Sequence, residues 1–324
     1  MAKTLAEHLT DYLSDAYSIE QQALAQMKTA PDIAGEPGMA AAFRDHLDET
    51  ERHAELVRAR LEAHGGSPSV IKNAVMKLGG KSFLAFARAQ PDTPGKLLTH
   101  AYSYEAFEWA AYELLVHLAE RAGDQTTAAM ARDIRDEERA MMERLATRFD
   151  AAAEASLGER DDSQMRRALH AYLADAHAIE AQAIQLLEKA PKLAGAPELE
   201  RIYREHLDET RQHAQWIEER LDELGGDTSI VKDAALRAAA VNWGLFFQAL
   251  SETPAKLAVF AYAVEHLEIA AHELLRRAAM RAGDEPTVGI TERILPQERA
   301  MAERVHASFE RAIDVSFADV TAVR

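Results

Sequence analysis

His46, Glu49 and His53 stand at spacings of three and four within the run His46-Leu47-Asp48-Glu49-Thr50-Glu51-Arg52-His53. The run returns 160 residues later as His206-Leu207-Asp208-Glu209-Thr210-Arg211-Gln212-His213. At about 100° per residue a helix brings the three positions within roughly 60° of one another, so imidazole, carboxylate and imidazole share one stripe. Nitrogen and carboxylate donors on one face suit a divalent transition metal.

The duplication acts as a filter on every other ionisable residue. Of thirteen histidines, only His46 with His206 and His53 with His213 recur at the same position in both copies. The recurring glutamates are Glu20, Glu49, Glu105, Glu108, Glu113, Glu138 and Glu143, repeated as Glu180, Glu209, Glu265, Glu268, Glu273, Glu298 and Glu303. Glu113 and Glu143 fall off the stripes of their helices and read as solvated. Glu20 occupies an apolar stripe with Ala16, Tyr17, Ala23 and Leu24, and Glu138 one with Ile134, Met141, Met142 and Leu145. A carboxylate in such surroundings must be paired, protonated or metal-bound. His46 and His206 read equally well as ligands or as residues that orient a carboxylate. Tyr17, Tyr102 and Trp109 read as core packing.

Long amphipathic helices must position these groups. Periodic segments run from about Leu5 to Ala30, from the break at Pro31 to Gly38 as far as His64, from Pro94 to Ala122, and from Gln125 to Ala155. Gly65-Gly66 and Gly123-Asp124 supply stops, and the second copy repeats them at Gly225-Gly226 and Gly283-Asp284. Two short helices, Val70 to Leu78 and Phe83 to Ala89, are expected in a long crossover from the second long helix to the third. Short loop, long crossover, short loop is the order of a ferritin-like four-helix bundle. The expected fold is all-α, with two tandem bundles dividing the chain into domains 1–158 and 159–324. Carboxylates reaching inward from all four helices, with imidazole from the second, suit a dinuclear iron or manganese site. Two divalent cations relieve the repulsion among buried acids.

Composition narrows the chemistry. The absence of cysteine excludes disulfides, thiolate metal sites and thiol catalysis. A formal charge of −17, spread over both halves, argues against nucleic-acid binding and favours cations as partners. The lack of a membrane-length apolar run or an apolar leader leads us to expect a cytoplasmic protein without membrane attachment.

The stretches Ile19-Glu20-Gln21-Gln22-Ala23-Leu24, His46-Leu47-Asp48-Glu49-Thr50, Asp136-Glu137-Glu138-Arg139 and Glu265-His266-Leu267-Glu268-Ile269-Ala270-Ala271 resemble the YciE/YciF family of ferritin-like proteins. The resemblance spans both halves nearly end to end. It implies a rubrerythrin-type bundle with a di-iron centre, a stress-associated role, and a fused pseudo-dimer where relatives pair as separate chains. It also implies metal ligands Glu20, Glu49, His53, Glu105, Glu108 and Glu138, with Glu180, Glu209, His213, Glu265, Glu268 and Glu298 as copies. Glu108 and Glu268 resemble the extra third-helix glutamate of rubrerythrins, which gives them a catalytic, redox-shifting role.

Two departures from that pattern stand out. Met141 and Met301 replace the fourth-helix histidine of most di-iron bundles, which leaves one metal position ligand-poor. Pro296 precedes Glu298 by two residues and is expected to disturb its helix and make the two sites inequivalent.

The leading expectation is two irons per domain, with manganese as the other metal, reacting with dioxygen or peroxide as a ferroxidase or peroxidase. With no cysteine-bound redox centre in the chain, a peroxidase would need an external electron donor. A non-catalytic metal store or helical scaffold, and a manganese catalase-like protein, are the other readings.

Overall fold

The computed structural model describes residues 3–69, 92–225 and 254–318, and every regular element among them is a helix. The first half contains α1 (Leu5–Met27), the single turn α2 (Ala30–Ile33), α3 (Pro37–Ala63), α4 (Thr93–Ala122), α5 (Gln125–Ala146) and α6 (Phe149–Leu157). The second contains α7 (Asp162–Leu187), α8 (Ala190–Leu193), α9 (Pro197–Glu223), α10 (Pro254–Ala282), α11 (Glu285–Ala307) and α12 (Phe309–Ser316). Helix α1 packs on α3 and α4, and α5 packs on α4 and α3, closing a four-helix bundle that α7, α9, α10 and α11 repeat. The chain therefore adopts the tandem ferritin-like bundles that its periodicity predicts. The short crossover helices expected at 70–78 and 83–89 lie outside the described residues.

Local chemistry sets the helix ends. Thr4 and Glu7 form a reciprocal capping box on α1, and Asp161 and Gln164 do the same for α7. Gly123 ends α4 at φ 74°, a left-handed conformation that a side chain would disfavour. Asp124 then caps α5 by accepting from the Thr127 amide at 3.0 Å. The same carboxylate takes Arg60 and His64 from the end of α3, each at 2.7 Å, so one residue joins the end of α3 to the start of α5. Asp124→Ala should therefore lower stability by at least the ~1–2 kcal/mol of a lost cap, read as a lower urea midpoint.

Two boundaries differ from expectation. Helix α1 stops at Met27, and Ala30–Ile33 forms a separate turn within the stretch read as a break. The fourth helix does not run to Ala155. The Arg148 amide bonds to the Leu145 carbonyl and the Thr147 hydroxyl to that of Arg144, tightening the turn so that α6 starts in a new direction. Helix α11 continues through Pro296. Pro296 lies on the exposed side, where water can satisfy the carbonyl that loses its partner.

Helix α4 is buried nearly all round because it serves two cores. One side faces its own bundle and the other meets α10 of the second half. The Ser103 hydroxyl donates to the Ala263 carbonyl at 2.8 Å, and these are equivalent positions 160 apart, so a pseudo-twofold axis passes between them. Lys96 pairs with Asp175 just as Lys256 pairs with Asp15, and Arg121 with Asp314 as Arg281 with Glu154. Phe107 packs on Phe260 and Trp109 on Tyr262, with ring centroids 5.3 and 5.0 Å apart.

Candidate metal centre

In the first bundle, α1 contributes Glu20, α3 contributes His46 and His53, α4 contributes Glu105 and Glu108, and α5 contributes Glu138. All six are essentially inaccessible to solvent. They form two groups of potential ligands, His46 with Glu105, Glu108 and Glu138, and His53 with Glu20 and Glu138. Glu138 belongs to both. His46 Nε2 lies 3.1 Å from Glu105 and 3.4 Å from Glu138, while His53 Nδ1 lies 2.9 Å from Glu138 and 3.9 Å from Glu20.

The opposite nitrogen of each ring faces outward onto a carboxylate. His46 Nδ1 is 2.8 Å from Glu49, which also accepts from Arg144, and His53 Nε2 is 2.6 Å from Glu137, which pairs with Arg52. A ring N–H donated outward leaves the lone pair of the inner nitrogen aimed at the glutamates, the arrangement that prepares an imidazole to bind a metal.

The inner donor atoms fit metal ions better than they fit one another. His46 Nε2, His53 Nδ1 and both oxygens of Glu105, Glu108 and Glu138 are buried without an aligned hydrogen bond, despite the short separations. Nitrogen and oxygen donor atoms thus converge on shared space. Burial pushes the Glu20 carboxyl up to about 8 and that of Glu105 to about 7, and raises Glu108 well above the usual carboxylate range. Burial also lowers His53, but Glu138 and Glu20 reverse this and carry it to about 9.

Without a metal these groups hold protons at neutral pH, and ions can bind only by displacing them. Metal affinity should therefore rise with pH from about 7 through 9, and the protons held by Glu108 and His46, both also raised well above their usual range, extend the rise. Calorimetry in buffers of different ionisation enthalpy should detect released protons, and a pH-independent affinity would contradict this protonation pattern.

The second bundle repeats the framework with changes. His206 groups with Glu265, Glu268 and Glu298, and Glu180 groups with His272 and Glu298. His206 Nε2 is 2.8 Å from Glu265, and His213 Nδ1 is 2.7 Å from Glu298 and 3.9 Å from Glu180. Outside the cluster, His213 Nε2 meets the Gln297 amide oxygen at 2.8 Å, where the first bundle has Glu137.

Of the ligands expected from sequence, Glu20, His53, Glu105, Glu108 and Glu138 converge in the first bundle, and Glu180, Glu265, Glu268 and Glu298 in the second, with His213 against the same carboxylates. Glu49 and Glu209 do not join the clusters. Glu49 is turned onto His46 and Arg144, and Glu209 is 38% exposed beside Arg304 at 3.6 Å. His46 and His206 take the inner positions instead, because a residue one turn earlier on the helix points closer to the bundle axis.

His46 also changes the reading of the missing fourth-helix histidine. The nitrogen comes from α3, and the first cluster still has four glutamates and two imidazoles. Glu113 and Glu273, read as solvated, are largely buried in ion pairs, with Arg135 at 2.6 Å from Glu113 and Arg276 at 3.0 Å from Glu273. His272 was not selected by the repeat because the first copy has Tyr112 at that position. Its only sequence signal is a polar residue on the inward stripe of the third helix, one turn beyond Glu268.

Fold and site together define an all-helical protein of two tandem ferritin-like bundles, each enclosing histidine and carboxylate clusters that could hold metal ions. The chain belongs to the family described as a domain of unknown function, DUF892, whose model matches residues 4–157 and again 164–318. No solved structure gives a significant match to the chain. Among the described residues no helix is long and apolar enough to cross a membrane.

Proposed function

We propose that each bundle holds a pair of iron ions and that the protein reacts with dioxygen or peroxide as a ferroxidase or peroxidase of the YciE/YciF kind, in defence against oxidative stress. The observation that carries this reading is Glu138, and Glu298 in the second copy, shared between two buried ligand groups, since a carboxylate common to two groups can bridge two ions. Glu20, His46, His53, Glu105, Glu108 and Glu138 would hold an iron pair, which would supply electrons to an oxidant, whereas a manganese pair in the same ligands would suit peroxide disproportionation.

The chain's own residues do the rest. Glu49 and Glu137 hold the imidazoles in the tautomer that presents a lone pair inward, and the Tyr112 hydroxyl donates to Glu20 and fixes its orientation. Glu108 meets no hydrogen-bond donor and is free to change its mode of binding, which suits the redox-shifting role assigned to it and to Glu268. Ile134 and Met141 wall the site against water. With no cysteine in the chain, continued peroxide reduction draws electrons from a separate donor.

The test is aerobic addition of ferrous iron to metal-free protein with an oxygen electrode and a ferric absorbance readout, then peroxide with and without a reductant. Oxygen uptake on iron addition, or peroxide loss that needs a reductant, supports the proposal. Oxygen evolution from peroxide alone, with manganese bound, would favour disproportionation. Metal uptake with neither reaction would leave a store.

A further inference from the structure

The two centres differ most where the repeat changes residue type. Tyr112 of the first bundle donates its hydroxyl to Glu20, whereas His272 of the second places Nε2 2.7 Å from Glu180. His272 is 1% exposed, groups with Glu180 and Glu298 as a potential ligand, and has no hydrogen-bond partner for Nδ1. A phenol that donates to a glutamate supplies no nitrogen to a divalent ion, but an imidazole at that point does. We propose that His272 is a metal ligand peculiar to the second bundle, making that centre richer in nitrogen so that the two centres select different divalent ions. This rests on the reading of both clusters as metal sites.

The surroundings of the other imidazoles differ as well. In the first bundle both imidazoles are backed by carboxylates, Glu49 and Glu137, each drawn against an arginine on its outer side. In the second, His213 is backed by the neutral Gln297 amide, and His206 Nδ1 has no partner. Carboxylate backing raises the basicity of the imidazoles it holds, so the backing strengthens nitrogen binding in the first bundle, and the difference in metal preference rests on the number of imidazoles at each centre. Three imidazoles suit ions that bind nitrogen well, so the second centre should favour zinc or cobalt relative to the first, which should retain manganese or ferrous iron.

The experiment uses the full chain, freed of metal and reloaded. With cobalt(II), paramagnetic proton NMR should show hyperfine-shifted ring N–H signals from coordinated histidines, and His272→Tyr should lose one. Tyr112→His should gain one, which keeps the proposal testable even if the first variant folds poorly. In competition between zinc and manganese, wild-type protein should take zinc into the second bundle and manganese into the first. The zinc preference should fall by roughly tenfold or more in His272→Tyr.

Unchanged N–H signals and unchanged zinc partition in both variants would overturn the assignment of His272 while leaving the metal reading intact. Failure of wild-type protein to bind cobalt in either bundle would overturn the metal reading itself.

Discussion

Replacing Glu138 by alanine should empty both metal positions of the first bundle, halving the metal content of the chain while the second bundle stays loaded. Glu138 is the only residue that belongs to both ligand groups there, and its two oxygens face different imidazoles. Removing it costs each group a donor and also removes the bridging charge that lets two cations lie close together.

The same logic grades the neighbouring substitutions. Glu20→Ala touches only the group with His53, so one ion should survive. Glu49→Ala acts through the outward N–H of His46 and should weaken binding by about 10–100-fold without abolishing it. Glu298→Ala is the mirror experiment and should empty the second bundle alone. Mass spectrometry of metal per chain, after loading and gel filtration, checks all four. Full occupancy in Glu138→Ala would mean that the glutamate is not shared between ions.

The second large effect lies at the seam between the halves. Lys256→Met should destabilise the protein by about 1.5–3 kcal/mol, because it removes a charged hydrogen-bond partner of Asp15 at a site where both side chains are at most 10% exposed. Lys256 donates to Asp15 at 2.6 Å and stands over the Tyr12 ring at 4.9 Å, so methionine keeps the packing and loses only the charge. Replacing both partners, Lys256→Met with Asp15→Leu, should recover most of the loss, since neither charge is then buried.

The symmetry-related pair offers an internal comparison. Lys96 and Asp175 are 18% and 28% exposed, so Lys96→Met should cost appreciably less. Thermal and urea unfolding of the two single variants and the double variant measure this directly. Equal losses at the two pairs would show that burial does not govern the seam.

By itself the sequence determined the helices, the duplication and most of the buried acids, because each of these is encoded locally or by repetition. Apolar residues every three or four positions define a helix face, Gly123 followed by Asp124 ends one helix and caps the next, and an acid on an apolar stripe announces its burial wherever the helix packs. The repeat served as a filter for chemistry, since residues present twice at equivalent positions include Glu20, His53, Glu105, Glu108 and Glu138.

Only the tertiary structure decided which members of a stripe reach the axis. His46 and Glu49 lie one turn apart on the same face, and the small rotation set by packing α3 on α1 and α5 sends the imidazole inward and the carboxylate out onto Arg144. The repeat also concealed what it did not conserve. His272 becomes visible as a candidate ligand only when α10 is packed against α7, because its proximity to Glu180 is a relation across 92 residues that no local pattern encodes.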